Sequence, residues 1–112
     1  MNKTELQVLS AIGMAKRAGK LVSGEMAVEQ QVRSGKGNLL LIASDASPST
    51  IERYQNMAAY YEISWRFALS KNDMGGAIGK GTRAAAVITD KGLANMIVKR
   101  LDEMEQAASG QE

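Results

Sequence analysis

The chain reads as one α/β domain of three layers, with a sheet held between helices on both faces. Three observations predict this class. Helical and strand patterns alternate from end to end of the sequence. Two runs, Leu39–Ala43 and Ala84–Ile88, are apolar at every position, the mark of strands covered on both sides. At 112 residues and 45% hydrophobic content, the chain is long enough for a single modest core.

Each element follows from local pattern. Leu6, Leu9 and Ile12 recur at helical spacing and predict a first helix over residues 3–18, stopped by Gly19. Gly19–Val22 leaves room only for a short extended piece. Ser23-Gly24 then opens a second helix to Ser34, which buries Val28 and Val32 and ends at Gly35 and Gly37. The first apolar run follows. After it, Ser47 is placed as an N-cap with Pro48 in the first helical position, opening a third helix whose face is Ile51, Tyr54, Ala58 and Tyr61.

Ile63, Trp65 and Phe67 alternate with Ser64 and Arg66, which predicts an edge strand whose two aromatic residues lie in the core. Ser70 and Asp73 have the spacing of a capping box and start a short fourth helix. The second apolar run is the last strand. Asp90 caps a final helix striped by Leu93, Met96, Ile97, Leu101 and Met104. The domain is predicted to span residues 1–105, with a flexible tail over 106–112. No repeat, linker or low-complexity tract interrupts it.

Composition excludes whole classes of chemistry. There is no histidine and no cysteine, which removes histidine triads, thiolate nucleophiles, disulfides and the usual soft metal sites. No signal-peptide core or bilayer-length apolar run occurs, so a soluble cytoplasmic protein is the expectation. Lysine and arginine total 14 against 12 acids. Because Asp102, Glu103, Glu105 and Glu112 crowd the end, the body before them is more basic than that balance suggests.

The acids that remain have structural readings. Asp45 and Asp90 follow the apolar strands, where α/β enzymes place catalytic groups, but each also precedes a helix that needs a cap. Glu25 fits a first-turn helix acid, favoured by the helix dipole.

Two basic glycine turns stand out: Lys16-Arg17-Ala18-Gly19-Lys20, leading into Ser23-Gly24-Glu25, and Gly75-Gly76-Ala77-Ile78-Gly79-Lys80-Gly81-Thr82-Arg83. Glycine admits close approach of a ligand to the backbone, and the cations beside it suit phosphate. The second turn mimics a nucleotide-binding loop but fails its pattern. Met74 occupies the required glycine position, Gly81 the magnesium-ligand position, and the turn leads from helix to strand. A nucleic-acid backbone fits better. Lys20, Lys80 and Arg83 are placed to neutralise phosphates, while Ser23, Gly24, Glu25, Gly81 and Thr82 shape the contact. Arg33 and Lys36 flank the exit of the second helix. With aromatic residues at 4%, an exposed stacking sheet for single strands is not expected.

Four stretches, LVSGE (21–25), LLLIASDAS (39–47), SKNDMGGAIGK (70–80) and AAVITDKGLA (85–94), occur in order. Together they resemble the L-seven-Ae/L-thirty-e family of ribosomal and kink-turn RNA-binding proteins, and most closely its bacterial branch. The similarity runs from Leu6 to Leu101. It implies a mixed four-stranded sheet, no enzymatic activity, no cofactor or metal, and a monomer that binds structured RNA, ribosomal RNA included. In that family the turn before the second helix, the helix start and the loop before the last strand grip RNA together. Gly24 matches the turn glycine, Arg33 a basic position on the helix, and Gly79, Lys80 and Arg83 the second loop. Two positions after the turn glycine, strong kink-turn binders carry Asn-Glu or Lys-Gln to read sheared G·A pairs. Here Met26 and Ala27 stand there, and Gln30 replaces a lysine. Two alternatives stay open on the residues alone: a protein-interaction module of the same fold, and a small enzyme acting on a phosphorylated ligand.

Overall fold

The last strand of the chain, β4 (Ala85–Ile88), lies inside the sheet rather than at its edge. In the computed structural model, which describes residues 1–110, the strand order is β1-β4-β2-β3, with β1 (Leu21–Ser23), β2 (Leu39–Ile42) and β3 (Trp65–Phe67). Gln111 and Glu112, the end of the predicted tail, lie outside the described residues. β4 pairs antiparallel with both β1 and β2, and β2 pairs parallel with β3, so the sheet is mixed. The parallel pair requires a crossover, which the helix α3 (Pro48–Tyr60) supplies.

Strand alternation sorts the core into two layers. Leu39, Leu41, Ala86 and Ile88 face one side, where they pack with Val8 and Ile12 of α1 (Lys3–Arg17), Met74 of α4 (Lys71–Ala77) and Ile97 and Leu101 of α5 (Lys91–Ser109). Leu40, Ile42, Ala85 and Val87 face the other, against Val28 and Val32 of α2 (Glu25–Arg33) and Tyr54 and Ala58 of α3. Both apolar runs are therefore buried on both faces, as their composition predicts. The result is the expected three-layer α/β/α sandwich.

Four helices begin on capping side chains: Asn2 for α1, Ser47 for α3, Ser70 for α4 and Asp90 for α5. Each oxygen accepts a backbone N–H of the first turn, which the helix itself leaves without a partner. Asp90 Oδ2 accepts from Leu93 N–H at 2.9 Å. Asp45 serves differently from the expectation. It caps α4 rather than the adjacent α3, accepting the Lys71 N–H on Oδ1 at 2.8 Å.

Two further expectations are corrected at the outer edge. Tyr61 is 37% exposed because it lies just past the end of α3 at its C-cap, where its ring packs edge-on against exposed Tyr60. Phe67 is 39% exposed, for it ends an edge strand with no further strand beside it, and only Trp65 packs against the core under α3. Arg66, between them, faces α5 and donates to Asp102 Oδ1 at 2.9 Å and Glu105 Oε2 at 2.7 Å. Partial burial opposes its charge, yet these carboxylates outweigh that and hold its pKa above the ordinary value. α5 itself continues to Ser109, past residue 105.

Candidate nucleic-acid interface

Gly24 stands between β1 and α2 with φ +95° and ψ 140°, a backbone conformation closed to other residues without strain. Its carbonyl accepts the first helical bond, from Val28 N–H at 2.9 Å. Having no side chain, it caps nothing. Among the described residues, α2 is thus the helix that starts without a side-chain oxygen on its first N–H groups. Those donors and the positive end of the helix dipole face outward from one end of the sheet.

The loop from Ile78 to Ala84 reaches the same place from the other direction. Register explains it: Ser23 lies opposite Ala86, so the residues just before β4 pass beside the β1–α2 turn. Arg83 Nε donates to Ser23 Oγ at 3.3 Å, joining two turns that are 60 residues apart in the chain. Its Nη1 donates to the Thr82 carbonyl at 2.9 Å, and its backbone N–H donates to the Lys71 carbonyl at 3.1 Å. No carboxylate pairs with Arg83 or with exposed Lys80 among the described residues.

The loop is held down by α4. Gly76 O accepts from Gly79 N–H at 3.3 Å, and Gly75 O accepts from Lys80 N–H at 2.9 Å. Gly81 crosses so close to α4 that a Cβ on Gly75 would lie 1.7 Å from the Gly81 carbonyl oxygen. Gly75 therefore positions the loop without facing solvent, a role that glycine content alone does not reveal. A glycine five places before the lysine is visible in sequence, but the crossing chain is not.

Between the two turns lies a concavity of about 240 Å³ lined by Gly24, Glu25, Thr50, Arg53, Tyr54, Thr82 and Arg83. Arg53 and Tyr54 belong to it through α3, and no local motif marks either. Arg53 pairs with Glu25 at 3.1 Å and lies 4.6 Å above the Tyr54 ring. Burial raises the pKa of the Tyr54 phenol above its ordinary value, with Arg53 pulling the other way. Glu25 thus occupies the first helical turn as expected and also steadies a cation at the rim. With the remaining guanidinium N–H groups of Arg83, three backbone N–H groups at the α2 start and a glycine-lined approach, the arrangement suits an extended anion.

The structure brings Ser23, Gly24, Glu25, Thr82 and Arg83 together, with Gly79, Lys80 and Gly81 in the adjoining loop. It separates Lys20, Arg33 and Lys36 from them. Lys20 sits at the far end of β1, where its carbonyl accepts from Thr89 N–H at 2.9 Å. Arg33 lies at the other end of α2, about 13 Å away by helical rise, and pairs with Glu29 at 3.1 Å. Lys36 follows beyond that end, in the turn leading to β2. Met26, 85% exposed, lies with Ala27, Glu29, Gln30 and Arg33 along a shallow depression on the outer side of α2. The described residues hold no group of three or more acids that would bind a metal, and no helix long and apolar enough to cross a membrane.

Known proteins align with nearly the whole chain. The model of the ribosomal protein L7Ae/L30e/S12e/Gadd45 family matches residues 7–98. A protein of Bacillus subtilis (strain 168) named RNA-binding protein YlxQ is 35% identical over 91 residues, covering 81% of this chain and 91% of its own. The large ribosomal subunit protein eL8 of Cenarchaeum symbiosum (strain A) is 28% identical over 95 residues, covering 84% of this chain and 75% of its own. Among solved structures, a Bacillus halodurans C protein of unknown function superposes with a TM-score of 0.80 at 29% identity, covering 86% of this chain and 97% of that one. The Giardia lamblia 15.5kD RNA binding protein shares the fold, with a TM-score of 0.73 at 22% identity over 94% of this chain and 90% of that one.

Proposed function

This chain belongs to the ribosomal protein L7Ae/L30e/S12e/Gadd45 family, and we propose that it is a non-catalytic RNA-binding protein. The name of its YlxQ relative supports the class of partner. The observation that carries the reading is the Ser23–Arg83 hydrogen bond, which puts a cation without a carboxylate partner beside an uncapped helix start. Backbone phosphates of a folded RNA occupy that edge, held by Arg83, Lys80 and the α2 N–H groups. A distorted backbone, such as a kink-turn or a ribosomal RNA junction, matches the concavity better than a straight duplex does. Affinity then comes mainly from phosphate, since Met26 and Ala27 offer no hydrogen bonds to base edges.

The test is the Lys80→Ala/Arg83→Ala double variant, titrated with a kink-turn hairpin RNA over a range of salt. Two lost phosphate contacts predict a salt slope shallower by about 1.5, and an affinity roughly tenfold or more weaker at low salt. An unchanged slope removes the loop from the site. The exposed Met26 favours a second reading, an interface for a protein partner on the outer face of α2. Capture of a partner that survives nuclease and high salt, and is lost with Met26→Lys, would support it.

A further inference from the structure

We propose that the opposite end of the sheet is a second phosphate-contacting face, built from Lys20, Lys36 and Lys91, which holds a separate backbone segment of the same folded RNA. The proposal rests on the RNA reading above. Three chain segments that are remote in sequence meet there. Lys20 is joined to Thr89 through its carbonyl, and Asn38 N–H donates to Ile88 O at 2.7 Å. Lys36 lies two residues before Asn38, and Lys91 two residues after Thr89. All three lysines are exposed.

Their charges are left unspent in a way that those of most arginines here are not. Arg33, Arg53, Arg66 and Arg100 each pair with a carboxylate, whereas no carboxylate pairs with Lys20, Lys36 or Lys91 among the described residues. The acid of these turns, Asp90, accepts the Leu93 N–H at the start of α5, and exposed Glu62 lies in the neighbouring turn before β3.

The chemistry of the face selects the partner. Protein interfaces need an apolar centre and are depleted in lysine. The turns that carry the lysines hold Gly19, Gly35, Asn38 and Gly92 and no large exposed apolar side chain of their own, while exposed Tyr60 and Tyr61 lie beside Glu62 in the neighbouring turn. Flexible point charges without an apolar anchor suit a phosphate backbone, which is read by charge rather than by shape. Lys20 and Ser23 lie at opposite ends of β1, about 10 Å apart by strand rise, and their turns open in opposite directions. One straight run of phosphates does not serve both. A bent or folded-back RNA does.

The experiment compares the Lys20→Ala/Lys36→Ala/Lys91→Ala variant with Lys80→Ala/Arg83→Ala, using a kink-turn hairpin RNA with two long stems. Backbone cleavage footprints and salt slopes are recorded for both. The wild type is expected to protect two separate backbone segments. The triple variant should lose one of them and flatten the slope by about 2, while the double variant loses the other. A triple variant with both segments protected and its slope intact overturns the second face and leaves the first standing. If the triple variant flattens the slope but the double variant does not, the Gly79–Arg83 loop reading fails, and with it the two-segment arrangement. A slope that neither variant moves sinks the RNA reading itself. Melting curves keep these outcomes separable from misfolding, because all three lysines are exposed.

Discussion

Helices α4 and α2 begin at the same end of the sheet, yet their first turns are treated in opposite ways. At α4, Ser70 Oγ accepts from Asp73 N–H and Asp45 Oδ1 accepts from Lys71 N–H, so two of the first-turn donors are consumed within the fold. At α2 the chain offers Gly24 and no capping side-chain oxygen. The difference separates scaffold from surface. Where the fold needs a rigid corner it supplies side-chain acceptors, and where it leaves a helix start open it places Arg83 alongside. The two starts touch at Lys71, whose N–H is accepted by Asp45 and whose carbonyl accepts the Arg83 N–H.

That contrast is sharpened most strongly at Gly75. A methyl group there must displace the Gly81 carbonyl, so Gly75→Ala is expected to cost about 3 kcal/mol in urea unfolding. It should also weaken RNA binding, since the loop that carries Lys80 and Arg83 has to move. Unaltered stability would mean that α4 does not anchor the loop. Next is Gly24→Ala, which forces a side chain into φ +95° and is expected to cost about 2 kcal/mol, with RNA affinity falling as the open start distorts. An affinity that holds while stability drops would show that the helix start takes no part in binding. The smallest effect belongs to Asp45→Ala, about 1 kcal/mol for one hydrogen bond at a helix start. RNA affinity in that variant should match the wild type. A loss of affinity larger than the loss of stability would break the division between closed and open starts.

Local signals made the architecture legible and left the assembly of the site only partly so. Apolar runs and capping residues act within a few positions, and the strands over Leu39–Ile42 and Ala85–Ile88 and the caps Ser47, Ser70 and Asp90 all follow from them. Asp45 shows the limit. Its partner is the Lys71 N–H, 26 residues on, and proximity in sequence pointed to α3 instead. Phe67 shows another, because alternation assigns a side chain to a face but not to the extent of the helix above it. Lys20 belongs to the same glycine-turn region as Ser23, but three residues of extended chain carry it to the other end of the sheet. Arg53 reached the cavity through the packing of α3 against α2, for which its neighbours in sequence hold no signal.

The inside position of β4 has a consequence for how the protein is made. β1 has β4 as its sheet neighbour, and Leu21 pairs with Ile88, so the first strand waits for nearly the whole domain to be synthesised. Until then an emerging chain can form helices and join β2 to β3, whereas the sheet lacks its middle. Ser23 meets Arg83 only when β4 slots into place. The proposed binding edge is therefore completed only with the last strand, and a chain lacking β4 lacks the Ser23–Arg83 contact that joins its two turns.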